Sequence, residues 1–509
     1  MNRTHTFRAR FLRPILGASL ALALAAPTLA QSPPAAGQEK GVPLSKVERK
    51  NKAPVSKEVL QVKLPKPFET SLENGMTVLI LEDHRLPSVF VTLNIDASGP
   101  LLEPADLPGL ASFTAQMLRE GTKTRDSKKI SEEVDRLGAT LGASAGFGST
   151  ATSVSASGLS DNLDEWMELM VDVLLNPAFP ADELAKLKDR QKLALRQARS
   201  QPSFLVSERY YRAVFGNHPA AVRSTTEQSI DAMTSEKLAQ WHREHYAPQN
   251  AILGIAGDVS IKELLPKLNK WFAAWKKTDL KESLPPNAVP SGQKKIYVVD
   301  RPRSVQTTLW LGNLAIDRRD PDYISLVVMN RIVGGGPSAR LFINLREEKG
   351  YTYGAYSGFT ALKYPGPWTA SSDVRTEVTE GAMTEFLNEI RRIREEPVPA
   401  AELDEAKRSI VASFALSLEQ PTTLLGYEIT RKVYGFPADY WDTYPAKISA
   451  VPAAEVQRVA RKYINPNALQ IVAVGEAGKI KTILEKFGPV EVFDTEGKPV
   501  AAKPAAPGN

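Results

Sequence analysis

The same stretch of sequence occurs twice in this chain, and a segment that occurs twice has to fold twice. Gly138-Ala139-Thr140-Leu141-Gly142-Ala143 is echoed by Gly350-Tyr351-Thr352-Tyr353-Gly354-Ala355. Phe179-Pro180-Ala181-Asp182-Glu183-Leu184 is echoed by Val398-Pro399-Ala400-Ala401-Glu402-Leu403, and Tyr246-Ala247-Pro248-Gln249-Asn250-Ala251 by Tyr463-Ile464-Asn465-Pro466-Asn467-Ala468. The pairs keep their order at an offset of roughly 215 residues, which chance similarity does not produce.

Each copy opens with β-branched runs, at 76–81 and 89–95 and again at 296–299 and 305–311. Apolar residues then recur at helical spacing, as in Leu163, Trp166, Met167, Met170 and Leu174 or Met383, Phe386, Leu387 and Ile390. An apolar strand closes each copy, at 251–256 and 469–474. The pattern predicts an α+β fold: two homologous domains, each a mainly antiparallel sheet layered with helices. Their expected limits are 61–275 and 294–490, joined by a Pro-rich linker at 276–293. A flexible leader at 31–60 and a disordered tail at 491–509 complete the chain.

At 509 residues, with 42% hydrophobic and 24% charged residues, the chain has the composition of a soluble globular protein. Arg3, Arg8, Arg10 and Arg13 precede an apolar run at 15–26 and the small residues Thr28 and Ala30, as in a secretory signal cut after Ala30. The run is shorter than the ~20 residues of a spanning helix. Secretion across the inner membrane, to a periplasm, is the expectation. Removing the segment brings the formal charge from +6 to about +2, so no basic face for nucleic acid is expected. With no cysteine, thiol catalysis, thiolate metal sites and disulfides are excluded.

Two motifs carry chemistry. The first runs Leu107-Pro108-Gly109-Leu110-Ala111, then Ser112-Phe113-Thr114-Ala115-Gln116, then Met117-Leu118-Arg119-Glu120-Gly121-Thr122. The second runs from Gly334-Gly335-Gly336-Pro337-Ser338-Ala339-Arg340 through Leu345-Arg346-Glu347-Glu348-Lys349-Gly350-Tyr351-Thr352-Tyr353. Together with the duplication they resemble the pitrilysin/insulinase-type metallopeptidases, which include the mitochondrial processing peptidases. The resemblance covers nearly all of residues 68–485.

In that family two related domains form a half-shell, and two half-shells enclose a cavity for unfolded peptides; a chain of this length supplies one half. Active members carry His-x-x-Glu-His in the first motif: two imidazoles one turn apart bind zinc, and the Glu takes a proton from its water. Here Ser112 and Gln116 stand at the ligand positions and Ala115 at the catalytic one. Serine and glutamine are neutral, weak zinc ligands, and alanine moves no proton. The third ligand, a Glu of a later helix, falls by this resemblance near Arg196, a cation that repels zinc. The expectation is no metal in this chain.

The second motif is a different matter. By the same resemblance Arg346 and Tyr353 are the pair that holds the substrate carbonyl and steadies its oxyanion. Gly334 to Gly336 lack the Gly-Lys-Ser/Thr ending of a phosphate loop and read as a close-approach turn opening a helix at Ser338–Glu348, with Ser338 as N-cap. His242 and His245, the tight histidine pair, have no third ligand beside them and read as part of an amphipathic helix. Residues 142–159, rich in small side chains, suggest a strand pair whose edge an extended peptide could join. The resulting expectation is a peptidase subunit with no cofactor of its own, which supplies Arg346 and Tyr353 to a zinc-bearing partner acting on unfolded peptides. The alternative is a non-catalytic peptide-binding or scaffold protein on a retained protease fold.

Overall fold

A computed structural model describes residues 60–280 and 283–500. The expected signal segment, its cut after Ala30, and the leader up to residue 59 lie outside the described residues.

The duplication is visible strand by strand. The first sheet comprises β1 (Phe68–Ser71), β2 (Thr77–Glu82), β3 (Ser88–Asp96), β4 (Thr140–Ser144), β5 (Ala151–Leu159) and β6 (Ala251–Gly257), in the order β1-β2-β6-β3-β5-β4. The second comprises β7 (Lys295–Asp300), β8 (Gln306–Ile316), β9 (Thr352–Ala361), β10 (Pro365–Arg375), β11 (Gln470–Gly475) and β12 (Val490–Phe493), in the order β12-β7-β11-β8-β10-β9. In both, the closing strand lies parallel to the opening one (β6 on β2, β11 on β7), and the next three strands are antiparallel. The sheets differ at one rim. The first is edged by β1, antiparallel to β2; the second by β12, parallel to β7. Both sheets are thus mixed, and helices cover them.

Local signals recur in the two copies for the same physical reasons. Gly138 and Gly350 both take positive φ, 58° and 64°, ahead of β4 and β9. Pro180 and Pro399 cap two helices of 18 residues, Ala181–Ala198 and Ala400–Ser417. Pro202 and Pro421 open two helices of 14 residues, where a missing N–H costs nothing.

Those last two helices are exchanged. Pro202–Phe215, from the first copy, lays Leu205, Val206, Tyr210 and Val214 against Tyr297, Val299, Val472 and Val474 of the second sheet. Pro421–Tyr434, from the second copy, lays Leu424, Leu425 and Ile429 against Leu79, Leu81 and Ala256 of the first. Each sheet therefore has its own helices on one face and a borrowed helix on the other. That is why β6 and β11 are buried almost throughout, whereas β3 alternates. Tyr210 anchors one exchange by donating to the Trp368 carbonyl at 3.1 Å and accepting from Thr369 Oγ1 at 2.9 Å.

Residues 491–500, expected to belong to a disordered tail, are ordered, and 501–509 lie outside the described residues. Val490–Phe493 form β12, and the turn after it is tied down by Arg199 to the Thr495 carbonyl at 2.9 Å and Arg209 to the Gly497 carbonyl at 3.0 Å. Backbone pairing with β7 and these two guanidinium bonds outweigh a Pro- and Gly-rich composition.

Candidate functional site

The first motif folds as the helix Leu110–Met117. Its N-cap is Gly109, at φ 102°, with no side chain to cap the end. Glu103 does that task from outside, accepting from the Gly109 and Ala111 N–H groups at 2.8 and 2.5 Å. Burial of that carboxyl pushes its pKa up to about 7 against the pull of the two N–H bonds.

Phe113, Ala115 and Met117 face the core, Ala115 with no exposed surface. Ser112 and Gln116 share the half-buried face one turn apart. Gln116 Nε2 donates to Ser112 Oγ at 3.1 Å and to the Ser112 carbonyl at 3.3 Å. Gln191, on the helix Ala181–Ala198, donates to Gln116 Oε1 at 3.0 Å. Three amide and hydroxyl side chains thus close on one another where a metal would need anionic or imidazole donors. The residues do not fit zinc. Lys192 and Arg190, flanking Gln191, are paired with Asp231 and Glu120.

The resemblance implies Arg196 as the third position and does not single out Gln191. The residue of this helix that meets Gln116 is Gln191. Arg196 lies five residues further, ~140° round the axis and ~7.5 Å along it. Its guanidinium pairs with Glu227 at 2.8 Å. Only the packing of the two helices fixes which turn faces the motif; the positively charged run 186–199 gives no signal of its own.

Among the described residues no group of three or more His, Asp or Glu comes together as a metal site. His242 and His245 turn to backbone carbonyls instead, those of Leu174 and Ala97, each at 2.7 Å. His242 is half-buried, and desolvation of its ring holds its pKa down to about 4.

The second motif ends a helix irregularly. The expected helix at Ser338–Glu348 is a single turn at Arg340–Phe342, capped by Ala339 rather than Ser338, followed by a π-turn at Ile343–Glu348. The buried guanidinium of Arg340, held by both oxygens of Glu402 at 2.7 Å, fixes its start. The glycine run serves close approach: a Cβ at Gly334 would stand 2.2 Å from the Ser357 nitrogen on β9.

Arg346, on the π-turn, has 46% of its side chain exposed, lies 4.8 Å from the centre of the Phe342 ring, and reaches Glu347 only at 3.6 Å. Tyr353 is 88% exposed on β9, an edge strand, and its hydroxyl has no partner among the described residues. Both side chains are accessible from outside the chain. Beside Tyr353 opens a cleft of about 660 Å³, whose lining includes Thr308, Trp310, Tyr356 and Asp373.

Comparison with known proteins bears on the family and the fold. Residues 77–226 match the model for insulinase (peptidase family M16), and residues 232–410 the model for the peptidase M16 inactive domain. An uncharacterized zinc protease of Rickettsia bellii is 28% identical over 358 residues, 69% of this chain and 84% of that protein. A probable mitochondrial-processing peptidase subunit beta of Arabidopsis thaliana is 23% identical over 432 residues, 81% of this chain and 78% of that protein. The crystal structure of a peptidase M16 inactive domain from Pseudomonas fluorescens superposes with a TM-score of 0.75 at 28% identity, covering 81% of this chain and 98% of that one. With both family models matched and the two-sheet fold shared, the chain belongs to the insulinase family of peptidases, M16.

Proposed function

We propose that this protein is the substrate-holding subunit of a zinc peptidase whose metal is carried by a second, related chain. The observation that carries the reading is the contrast between the two motifs. At the zinc-helix positions, Ser112, Gln116 and Gln191 are spent on one another. At the clamp, Arg346 and Tyr353 are exposed, and the one ion pair there is the loose contact of Arg346 with Glu347.

A guanidinium is always charged and a phenol donates one directed bond, so the pair can orient a peptide carbonyl and stabilise the oxyanion that forms on it. The partner would supply zinc and the proton-accepting Glu; this chain's own residues bind and orient. The signal-like start favours a periplasmic setting for the pair. Mixing the protein with a co-encoded chain that keeps His-x-x-Glu-His should give peptide cleavage, lost about 100-fold or more on Arg346→Ala or Tyr353→Phe. Full activity in both variants would remove the clamp, and peptide binding without cleavage in any mixture would favour a scaffold role instead.

A further inference from the structure

We propose that the cleft beside Tyr353 is a subsite for a lysine or arginine side chain of the bound peptide, with Asp373 as the acceptor. The inference rests on Arg346 and Tyr353 holding that peptide, and adds what the peptide must carry.

The cleft has the two-part chemistry of such a side chain. Three large apolar residues stand exposed on it: Val305 at 82%, Tyr353 at 88% and Tyr356 at 44%. Exposed together, they form a surface that a long aliphatic stem can cover. Aromatic faces also attract a cation. Asp373 is exposed on β10, and its carboxylate accepts from the hydroxyl of Thr308, its cross-strand partner. Among the described residues no cation pairs with it.

The cleft's other charge is Arg301, which donates to the Ser200 carbonyl at 3.2 Å and to Ser304 Oγ at 3.0 Å. The positive end of the helix starting at Pro202 lies on the cleft as well. An incoming cation is therefore driven away from those groups, toward Asp373, and peptide carbonyls toward them.

The duplication supplies an internal control. The first copy has the equivalent cleft, about 590 Å³, lined by Leu86, Phe90, Ser157, Leu159 and Pro421, with its charges at Asp83, Arg85 and Glu419, where Asp83 is already paired with Arg85. There the cross-strand pair is Phe90 opposite Ser157; in the second copy it is Thr308 opposite Asp373. The carboxylate and its hydroxyl partner occur in the copy that carries Arg346 and Tyr353, while the other cleft stays uncharged at that pair. A peptide lying along the free edge of β9 brings its side chains past this opening.

The test uses the full chain and two fluorescein-labelled, unstructured peptides, one with a single central lysine and one with norleucine in its place. Anisotropy titration at low salt is expected to show the lysine peptide binding about ten-fold tighter. Asp373→Asn should erase that difference, and so should about 1 M NaCl. Arg346→Ala with Tyr353→Phe should weaken both peptides together. Equal affinity for the two peptides, or discrimination that survives in a natively melting Asp373→Asn protein, overturns the subsite. If the clamp variant still weakens both, the clamp stands without it. If neither peptide binds the wild-type chain, both readings fall.

Discussion

The proposed reading of the helix Leu110–Met117, with Gln191 facing Gln116 where a third zinc ligand would stand, can be tested by building a metal site there. Ser112→His, Gln116→His and Gln191→Glu would place two imidazoles one turn apart and a carboxylate opposite them, with a fourth position open. The triple variant loses the chain of hydrogen bonds at 3.1 and 3.0 Å, which costs about 1 kcal/mol per bond. Zinc present at about 1,000 times its dissociation constant returns about 4 kcal/mol. The variant should therefore melt a few degrees below wild type without metal, and on the order of 5 °C higher once zinc is added. The assay is thermal melting with and without zinc, together with metal analysis after gel filtration. The control carries Glu at Arg196 in place of Gln191, ~7.5 Å along the helix and on another face. Zinc retained equally by the control, or no zinc retained by a folded triple variant, would refute the assignment.

Three further outcomes are expected. Glu103 and His242 should give opposite pH dependences in the same window. A carboxyl raised to about 7 binds its proton more readily folded than unfolded, so its contribution to stability is present below about 4.5 and lost as pH rises through 7. A histidine lowered to about 4 loses stability as pH falls from 6.5 through 4. Each is worth about 3 kcal/mol, so denaturant melts of Glu103→Gln should become acid-labile and those of His242→Gln should weaken toward neutral pH; flat profiles in both would contradict the burial argument. Tyr210→Phe removes the bonds to the Trp368 carbonyl and from the Thr369 hydroxyl and should destabilise by about 1–3 kcal/mol, measured by the same melts. Because helices are exchanged between copies, residues 61–275 expressed alone should lack a cooperative transition and regain it with the other copy present; a stable isolated copy would show that the exchange is dispensable.

Much of the fold could be read from the residues because duplication is a sequence property. The runs at 76–81, 89–95, 296–299 and 305–311 are β2, β3, β7 and β8 or lie largely within them. The paired Pro180 and Pro399, and the paired Gly138 and Gly350, act alike because proline and glycine restrict or release φ wherever they stand. The helix exchange was not legible. Leu205, Val206 and Tyr210 make an apolar face, and nothing in such a face says which sheet it will cover. The rims were hidden for a similar reason, since a four-residue strand such as Val490–Phe493 carries too little pattern to announce itself. At the candidate site, Ser112, Ala115 and Gln116 can be picked out from the motif that frames them. Gln191 needed the register between two helices, and Asp373 needed the pairing of β10 with β8, which brings Thr308 and Asp373 together across 65 positions.

The most direct measurement is the zinc content and peptide cleavage of the protein alone and of its complex with a chain bearing His-x-x-Glu-His. The expected result is less than a tenth of a zinc per chain and no cleavage for the protein alone, as neutral oxygen and amide donors hold zinc poorly. The complex should hold about one zinc for each pair of chains, as one three-ligand site binds one ion, and should cleave. A full zinc in the isolated chain accompanied by cleavage would contradict it.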